Sequence, residues 1–380
     1  MNQRFYSLDV FRGATVCLMI LVNNPGSWAY IYSPLKHAPW HGLTPTDLVF
    51  PFFLFAVGNA MAFVIPRLKS AGDVVFWKKV ITRTILIFLI GLFLNWWPFA
   101  KWANDTLVFR SWVDAANLEN GVRIMGVLQR IALCYFFASI IVFYLKPKKA
   151  FLIGLILLLL YWGLCLLGNP NDPYSLQGWF GTEIDKNILG IAHIYKGETV
   201  PFDPEGLPGT LSAIVQVIFG FLIGDYIQKK GKNFEMIAGL FVAAVAMLIT
   251  GFCWDMTFPI NKKIWTSSYT IYTSGLATLT IATMIYFIEF KNTRGWLAEF
   301  FNVFGKNPLF VFALSAFLPK GLALIKLEEG VNPWNWLYKK VLIHTPGVPE
   351  NGSLLYALCV IIFMWAICWW MDKKKIYVKV

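Results

Sequence analysis

Long apolar runs separated by short charged gaps dominate this chain, and their length sets the first expectation. The runs cover 7–25, 46–66, 80–97, 124–145, 150–167, 209–227, 235–253, 267–288, 299–318 and 353–371. A hydrocarbon core of ~30 Å takes about 20 helical residues to cross, so each run can span it. In lipid only a helix or a closed barrel satisfies every backbone N–H and C=O. The pattern predicts an all-α, polytopic integral membrane helix bundle of about 10–11 transmembrane helices, forming one domain over 1–380. Gly305-Lys-Asn-Pro308 interrupts the ninth run, and 333–344 offers a further half-helix.

The gaps alternate in charge. One set holds Arg67, Lys69, Lys78, Lys79, Lys146, Lys148, Lys149, Lys229, Lys230 and Lys232, followed by the Lys373–Lys375 tail. Lys and Arg concentrate in cytoplasmic loops, so both termini are expected on the cytoplasmic side. The other gaps are longer and more acidic, from Asp105 to Glu350, with Lys101, Arg110, Lys339 and Lys340 scattered among them.

Composition agrees with lipid as solvent. Hydrophobic residues make up 57% and charged residues 14%, where a soluble domain carries roughly 25% charge. The net charge of +12 lies in the gaps, with no Arg- and aromatic-patterned soluble module, so nucleic acid is not an expected partner. The six cysteines fall in or beside apolar runs. They lack metal-ligand spacing and read as small buried hydrophobes, with no metal site expected. The first run lacks a small-residue cleavage site and reads as a retained span.

Candidate chemistry concentrates just before the second run. His37, His41, His193 and His344 are the only histidines, and all fall in the acidic-side loops. His37 precedes Asp47 and the start of an apolar helix, where an imidazole serves as a proton acceptor. Asp47, with Thr44 and Thr46 nearby, is either a helix cap or a partner for that histidine. Asp9 and Arg12 share a face of the first helix and can pair. Asn23 and Asn24 close that helix. Gln129 and Arg130 lie inside the fourth run, and a buried arginine needs an acidic partner, a carbonyl cage or an anionic ligand. The chain has no phosphate-cradling Gly-rich loop, nucleophile elbow or zinc helix.

Several pieces, taken in order, are similar to one family. They are Ser7-Leu-Asp-Val-Phe-Arg-Gly13, Met19-Ile-Leu-Val-Asn23, Lys36-His-Ala-Pro-Trp-His-Gly-Leu-Thr44 and Asp47-Leu-Val-Phe-Pro51. Gly126-Val-Leu-Gln-Arg130, Asp203-Pro-Glu-Gly206, Gly209-Thr-Leu-Ser212 and Pro259-Ile-Asn-Lys262 continue the series, with Trp265 and Ser268-Tyr269. Together they resemble the heparan-alpha-glucosaminide N-acetyltransferase family and its bacterial relatives. The resemblance implies acetyl transfer from cytosolic acetyl-CoA, as acyl-donor substrate, to a glucosamine amine across the membrane. It implies an inner (plasma) membrane protein with its acceptor on the periplasmic side. His37 becomes the active-site histidine and Asn23 the active-site asparagine, while His41 stands where Asn is common. Asn23 or Asp47 then fixes the His37 tautomer or binds the developing oxyanion. Arg130, Gln129, Arg12 and Asp9 are candidate donor contacts. Trp40, His41, Asp203 and Glu205 are candidate contacts for an amino sugar or glycan. General-base transfer and an acetyl-histidine intermediate both stay open, as does a homodimer. An amino-sugar transporter and an O-acyltransferase of surface glycans are the rival readings.

Overall fold

The computed structural model describes residues 5–103 and 105–378. The long apolar runs are helices. They are α1 (Tyr6–Asn23), α2 (Val49–Ala71), α3 (Asp73–Trp96), α4 (Val127–Tyr144) and α5 (Pro147–Gly168). After the short α6 (Gly181–Leu189) come α7 (Thr210–Lys230), α8 (Phe234–Asp255), α9 (Ser267–Ile285), α10 (Trp296–Lys306) and α11 (Pro308–Leu322). The small α12 (Trp336–Lys340) precedes α13 (Pro349–Lys373). Among the described residues, α1, α2 with its leading turn, α4, α5, α7, α8, α9 and α13 are eight helices long and apolar enough to cross a membrane. α10 and α11 make a ninth if taken as one broken span. The chain is therefore an α-helical, multi-pass membrane protein.

Two expectations change. The run 299–318, read as one span interrupted at Gly305–Pro308, is two helices bent by 79°. Pro308 lacks an N–H and disfavours helical geometry in the residue before it, and Asn307 sits at φ −132°, ψ 47°. The Asn307 carboxamide instead clasps the C-terminal tail, donating to Ile376 O at 3.0 Å and accepting from Val378 N at 2.8 Å. The loop after α3 folds into two antiparallel hairpins, β1 (Ala100–Ala103) with β2 (Thr106–Phe109) and β3 (Val113–Asp114) with β4 (Asn117–Gly121). Their strands are too short to show in an apolar profile tuned to helix-length runs.

Packing separates scaffold from lipid face. Val242, Val245, Ile249 and Phe252 form an exposed apolar stripe on α8, and Leu152, Ile156, Leu159 and Leu160 do so on α5. Exposed leucine and valine at this density suit a hydrocarbon solvent. α2 and α7 approach backbone to backbone. A Cβ on Gly58 would lie 1.9 Å from Val217 O, and one on Gly220 would lie 2.1 Å from Phe55 O. Small residues at such crossings let dispersion replace the hydrophobic driving force that lipid lacks. Hydroxyls on α9 tie it to its neighbours, Ser267 donating to Leu158 O at 2.8 Å and Ser212 meeting Thr270 at 2.7 Å.

Gly220→Val should separate α2 from α7, because the clash is with backbone that no rotamer can relieve. The expected cost is at least about 1–3 kcal/mol, read as a lower thermal midpoint in detergent. Gly163→Ala, where an added Cβ meets no atom within 4 Å, should hold or raise that midpoint.

Candidate active site

The site begins with the turn that starts α2. Thr44 is extended, at φ −115° and ψ 166°, and leads into one 3-10 turn, Pro45–Leu48. Asp47 is the third residue of that turn, where a carboxylate can reach back to otherwise unpaired N–H groups. Its Oδ2 accepts from Thr44 N at 3.1 Å and from Ala38 N at 3.0 Å. The Thr44 hydroxyl lies 3.0 Å from the same oxygen and 2.7 Å from Lys36 O, one proton between two acceptors.

Oδ1 faces the other way. It lies 2.6 Å from His37 Nδ1 and 3.4 Å from Lys262 Nζ. Two lone pairs at 2.6 Å would repel, so Nδ1 carries the proton and Nε2 keeps the lone pair. The imidazole side chain is 48% exposed, whereas the carboxylate is 1% exposed. A buried anion thus orients an accessible base. Asp47 is both the helix cap and the histidine's partner, which joins the two alternatives open in the sequence.

Lys262 arrives from the loop between α8 and α9. Asn261 shapes that loop, accepting from Ile264 N at Oδ1 and donating through its own N–H to the Thr266 hydroxyl, each at 3.0 Å. Trp265 takes a positive φ of 53°. Its buried indole packs edge-on against Phe50 and Tyr269, with ring centroids 4.9 and 5.2 Å away. The Tyr269 hydroxyl donates to Asp47 O at 2.6 Å. Burial lowers the Lys262 pKa, against the opposing pull of Asp47 and Glu205. The Lys262 ammonium is also 3.1 Å from His37 Nδ1; with Nδ1 protonated, both nitrogens donate toward Asp47.

A third arm comes from the Asp203–Gly206 turn. Arg123 grips it, with Nε 2.9 Å from Asp203 Oδ2 and Nη2 paired to Glu205. Asp203 also accepts from the backbone N–H groups of Tyr195 and Glu205. Arg130 holds the end of the turn, donating to Gly206 O at 2.7 Å with its guanidinium 5.2 Å from the Trp265 ring. The turn leaves Glu205 lining a cavity of about 150 Å³ with Asn23, His37, Thr46, Phe50 and Lys262.

The predicted residues therefore divide by place. Asn23, His37 and Glu205 line one cavity, with Asp47 directly behind His37. Asp203 is spent on the turn. Trp40 donates to Tyr174 O at 2.8 Å, and His41 Nδ1 sits 3.4 Å from the Asn261 carboxamide. Burial lowers the His41 pKa. Gln129 and Arg130 are buried in the bundle. Asp9 and Arg12, 3.4 Å apart, lie toward the other end of α1, Arg12 being about 17 Å from Asn23 at 1.5 Å per residue. They line a separate cavity of about 750 Å³ with Tyr6, Arg294, Asn302 and Lys306. Lys262, Asn261 and Arg123 had not been singled out. Asn261 and Lys262 showed only as part of the Pro259–Lys262 motif, and Arg123 had no local signal, Asp203 lying 80 residues away.

This arrangement defines a class, a multi-pass membrane protein with a carboxylate–imidazole–ammonium cluster opening at one end of its bundle. Comparison with known proteins narrows it. Residues 4–184 match the family model described as heparan-alpha-glucosaminide N-acetyltransferase, catalytic. The human heparan-alpha-glucosaminide N-acetyltransferase is 26% identical over 437 aligned positions, covering 99% of this chain and 60% of that protein. The mouse protein of that name is 25% identical, with 99% and 60% covered. The chain is thus similar to heparan-alpha-glucosaminide N-acetyltransferases along its length and spans about 60% of the length of these relatives. Asn23, His37, Asp47 and Arg123 fall inside the family-model match, whereas Glu205 and Lys262 fall beyond it.

Asp185 on α6 supports the same turn, its Oδ1 accepting from Leu207 N at 2.8 Å. Burial, then the Asp203 charge, pushes its pKa up to about 7 from 3.8. Below the unfolded value both states hold the proton. As pH rises toward about 7 the unfolded chain ionises first, so stability falls through this window and levels off above it. Asp185→Asn should remove that fall and raise the thermal midpoint above pH 7, by up to roughly 4 kcal/mol of linkage. Melting curves of both proteins between pH 4 and 8 check this.

Proposed function

We propose that this protein transfers an acetyl group from acetyl-CoA to the amine of a glucosamine-type sugar. The observation that carries the reading is the His37–Asp47 pair at 2.6 Å, opening on a cavity with Asn23, Glu205 and Lys262 in a chain similar to this family. The amine nitrogen attacks the thioester carbonyl carbon and passes its proton to His37 Nε2. The tetrahedral intermediate then collapses with loss of the C–S bond, and the thiolate takes up a proton to leave as CoA. Asp47 keeps Nδ1 protonated and offsets the imidazolium that forms. The Lys262 ammonium and the Asn23 carboxamide are donors for the oxyanion, charge that a low-dielectric cavity makes worth more than it would be in water.

The charge pattern of the loops supports a topology with both termini cytoplasmic, which sets His37 on the outer, periplasmic face of an inner membrane. The donor then approaches from the opposite end, where Arg12, Arg294 and Lys306 line the larger cavity and can meet its phosphates. Glu205, held by Arg123, is placed to receive an ammonium or hydroxyl of the acceptor. Arg130, engaged with Gly206 and Trp265, acts through the turn it anchors.

The test uses the full chain in sealed vesicles, with labelled acetyl-CoA on one side and glucosamine on the other. His37→Ala should lose about 10²–10⁴-fold in kcat, and full retained acetylation would overturn the assignment of His37. Asp47→Asn should lower kcat while glucosamine KM moves little, because it alters the base and not the acceptor contacts. Mass spectrometry of the product separates an amide from an ester. A pre-steady-state burst of free CoA would mark the acetyl-histidine route.

A further inference from the structure

The apolar flank of the bundle carries a trough between α5 and α8 of about 580 Å³, a volume in the range of small-molecule sites. Phe219, Leu240 and Ile271 line it and are buried, while Phe151 on α5 and Ala246 and Thr250 on α8 line it and are exposed. It therefore opens where the apolar stripes of α5 and α8 face lipid. Gly239, Ala243, Ala246 and Thr250 follow one face of α8 at helical spacing, and their small side chains keep the trough wide. From Gly239 to Thr250 it extends about 17 Å at 1.5 Å per residue, close to half of a ~30 Å hydrocarbon core. Its lining gains dispersion energy only from whatever packs into it.

A lipid chain and a helix from a second copy both suit the shape, and charge chooses between them. Lys148, Phe151 and Leu155 are three and four residues apart on α5, so Lys148 stands on the trough face one turn before Phe151. Lys146 and Lys149 flank it, each of them is exposed, and among the described residues none forms an ion pair. The first turn of α5 holds no carboxylate to match them. Lys229 and Lys230 reach the same end from α7 but are neutralised, by Asp225 at 2.6 Å and by Glu235. Copies in one membrane share an orientation, and a two-fold contact joins the same patch on both. A second copy would bring the unpaired lysines of both chains together. A phospholipid instead brings a chain about one leaflet long and a phosphate at the level of Lys148. We propose that the trough holds one acyl chain of an anionic phospholipid from the leaflet at the basic end of the bundle, its headgroup bound by Lys148 and the lysines beside it.

The experiment purifies the full chain in a mild detergent, strips its lipid and titrates it with phosphatidylglycerol or phosphatidylcholine. Native mass spectrometry counts bound lipid, and the thermal midpoint is followed in parallel. One phosphatidylglycerol per chain should bind about tenfold more tightly than phosphatidylcholine, the scale of lysines beside an anionic headgroup. The Lys148→Gln, Lys149→Gln double variant should bring that ratio near one while a phospholipid still binds. Both lysines are exposed, so their substitution removes charge without disturbing packing. Ala246→Trp sets an indole into the trough from its rim and should lose the bound lipid, with a midpoint that no longer responds to either one. Equal affinity for the two lipids in the unaltered protein, or full retention of lipid in Ala246→Trp, would overturn the site. Ala246→Cys, treated with an oxidant in native membranes, examines the second copy. A disulfide-linked dimer not formed by the unaltered protein would place another chain in the trough and overturn the proposal, and a monomer would uphold it.

Discussion

A carboxylate buried at the mouth of a membrane helix must have its lone pairs matched, because neither lipid nor a closed protein interior can solvate it. Asp47 meets that demand with donors from three stretches of chain. Ala38 and Thr44 supply backbone N–H groups, His37 supplies its ring N–H, and Lys262 brings an ammonium from the loop before α9. The loop before α2 and the loop before α9 are thereby fixed against each other, and Tyr269 fastens the same turn through the Asp47 carbonyl. The histidine's tautomer follows from this arrangement. A group that begins as a helix cap ends by setting which ring nitrogen holds the lone pair.

The bundle keeps those donors in register. α2 follows the turn that holds Asp47 and α7 follows the Asp203–Gly206 turn, and the two helices cross with Gly58 and Gly220 in backbone contact. A crossing that close fixes their relative position to within a small fraction of a side chain, since the backbone has no rotamers. α5 and α8 serve a different purpose, turning apolar stripes outward to lipid. Between these layers the site stands on rigid elements at one end, while Arg12, Arg294 and Lys306 gather at the other. Two cavities that hold charged side chains thus lie toward opposite ends of one bundle.

Much of this could be read along the chain wherever the partners are close in sequence. His37 and Asp47 are ten residues apart, and Asn23 closes the helix just before them, so one stretch of sequence held most of one wall. Arg130 was legible as a buried cation in need of a partner, but not as the anchor of the Asp203–Gly206 turn, because that partner is a carbonyl 76 residues away. Lys262 lies 225 residues from His37, and nothing local to it reports a carboxylate. The cations Lys101 and Arg110 looked scattered for the same reason. The hairpins that gather them are too short for a helix-length profile.

Hydrophobic run length alone dictates an α-helical membrane protein, since a segment in hydrocarbon has no other way to pair its backbone, and it places nearly every long helix within a few residues. The spacing of His37 and Asp47 likewise makes a dyad available locally. The arrival of Lys262, the placing of Glu205 by Arg123 and the cavity at the opposite end all came from folding. Each depends on groups distant in sequence finding one another, and a buried charge chooses its partner by proximity in space, which no local pattern of residues encodes.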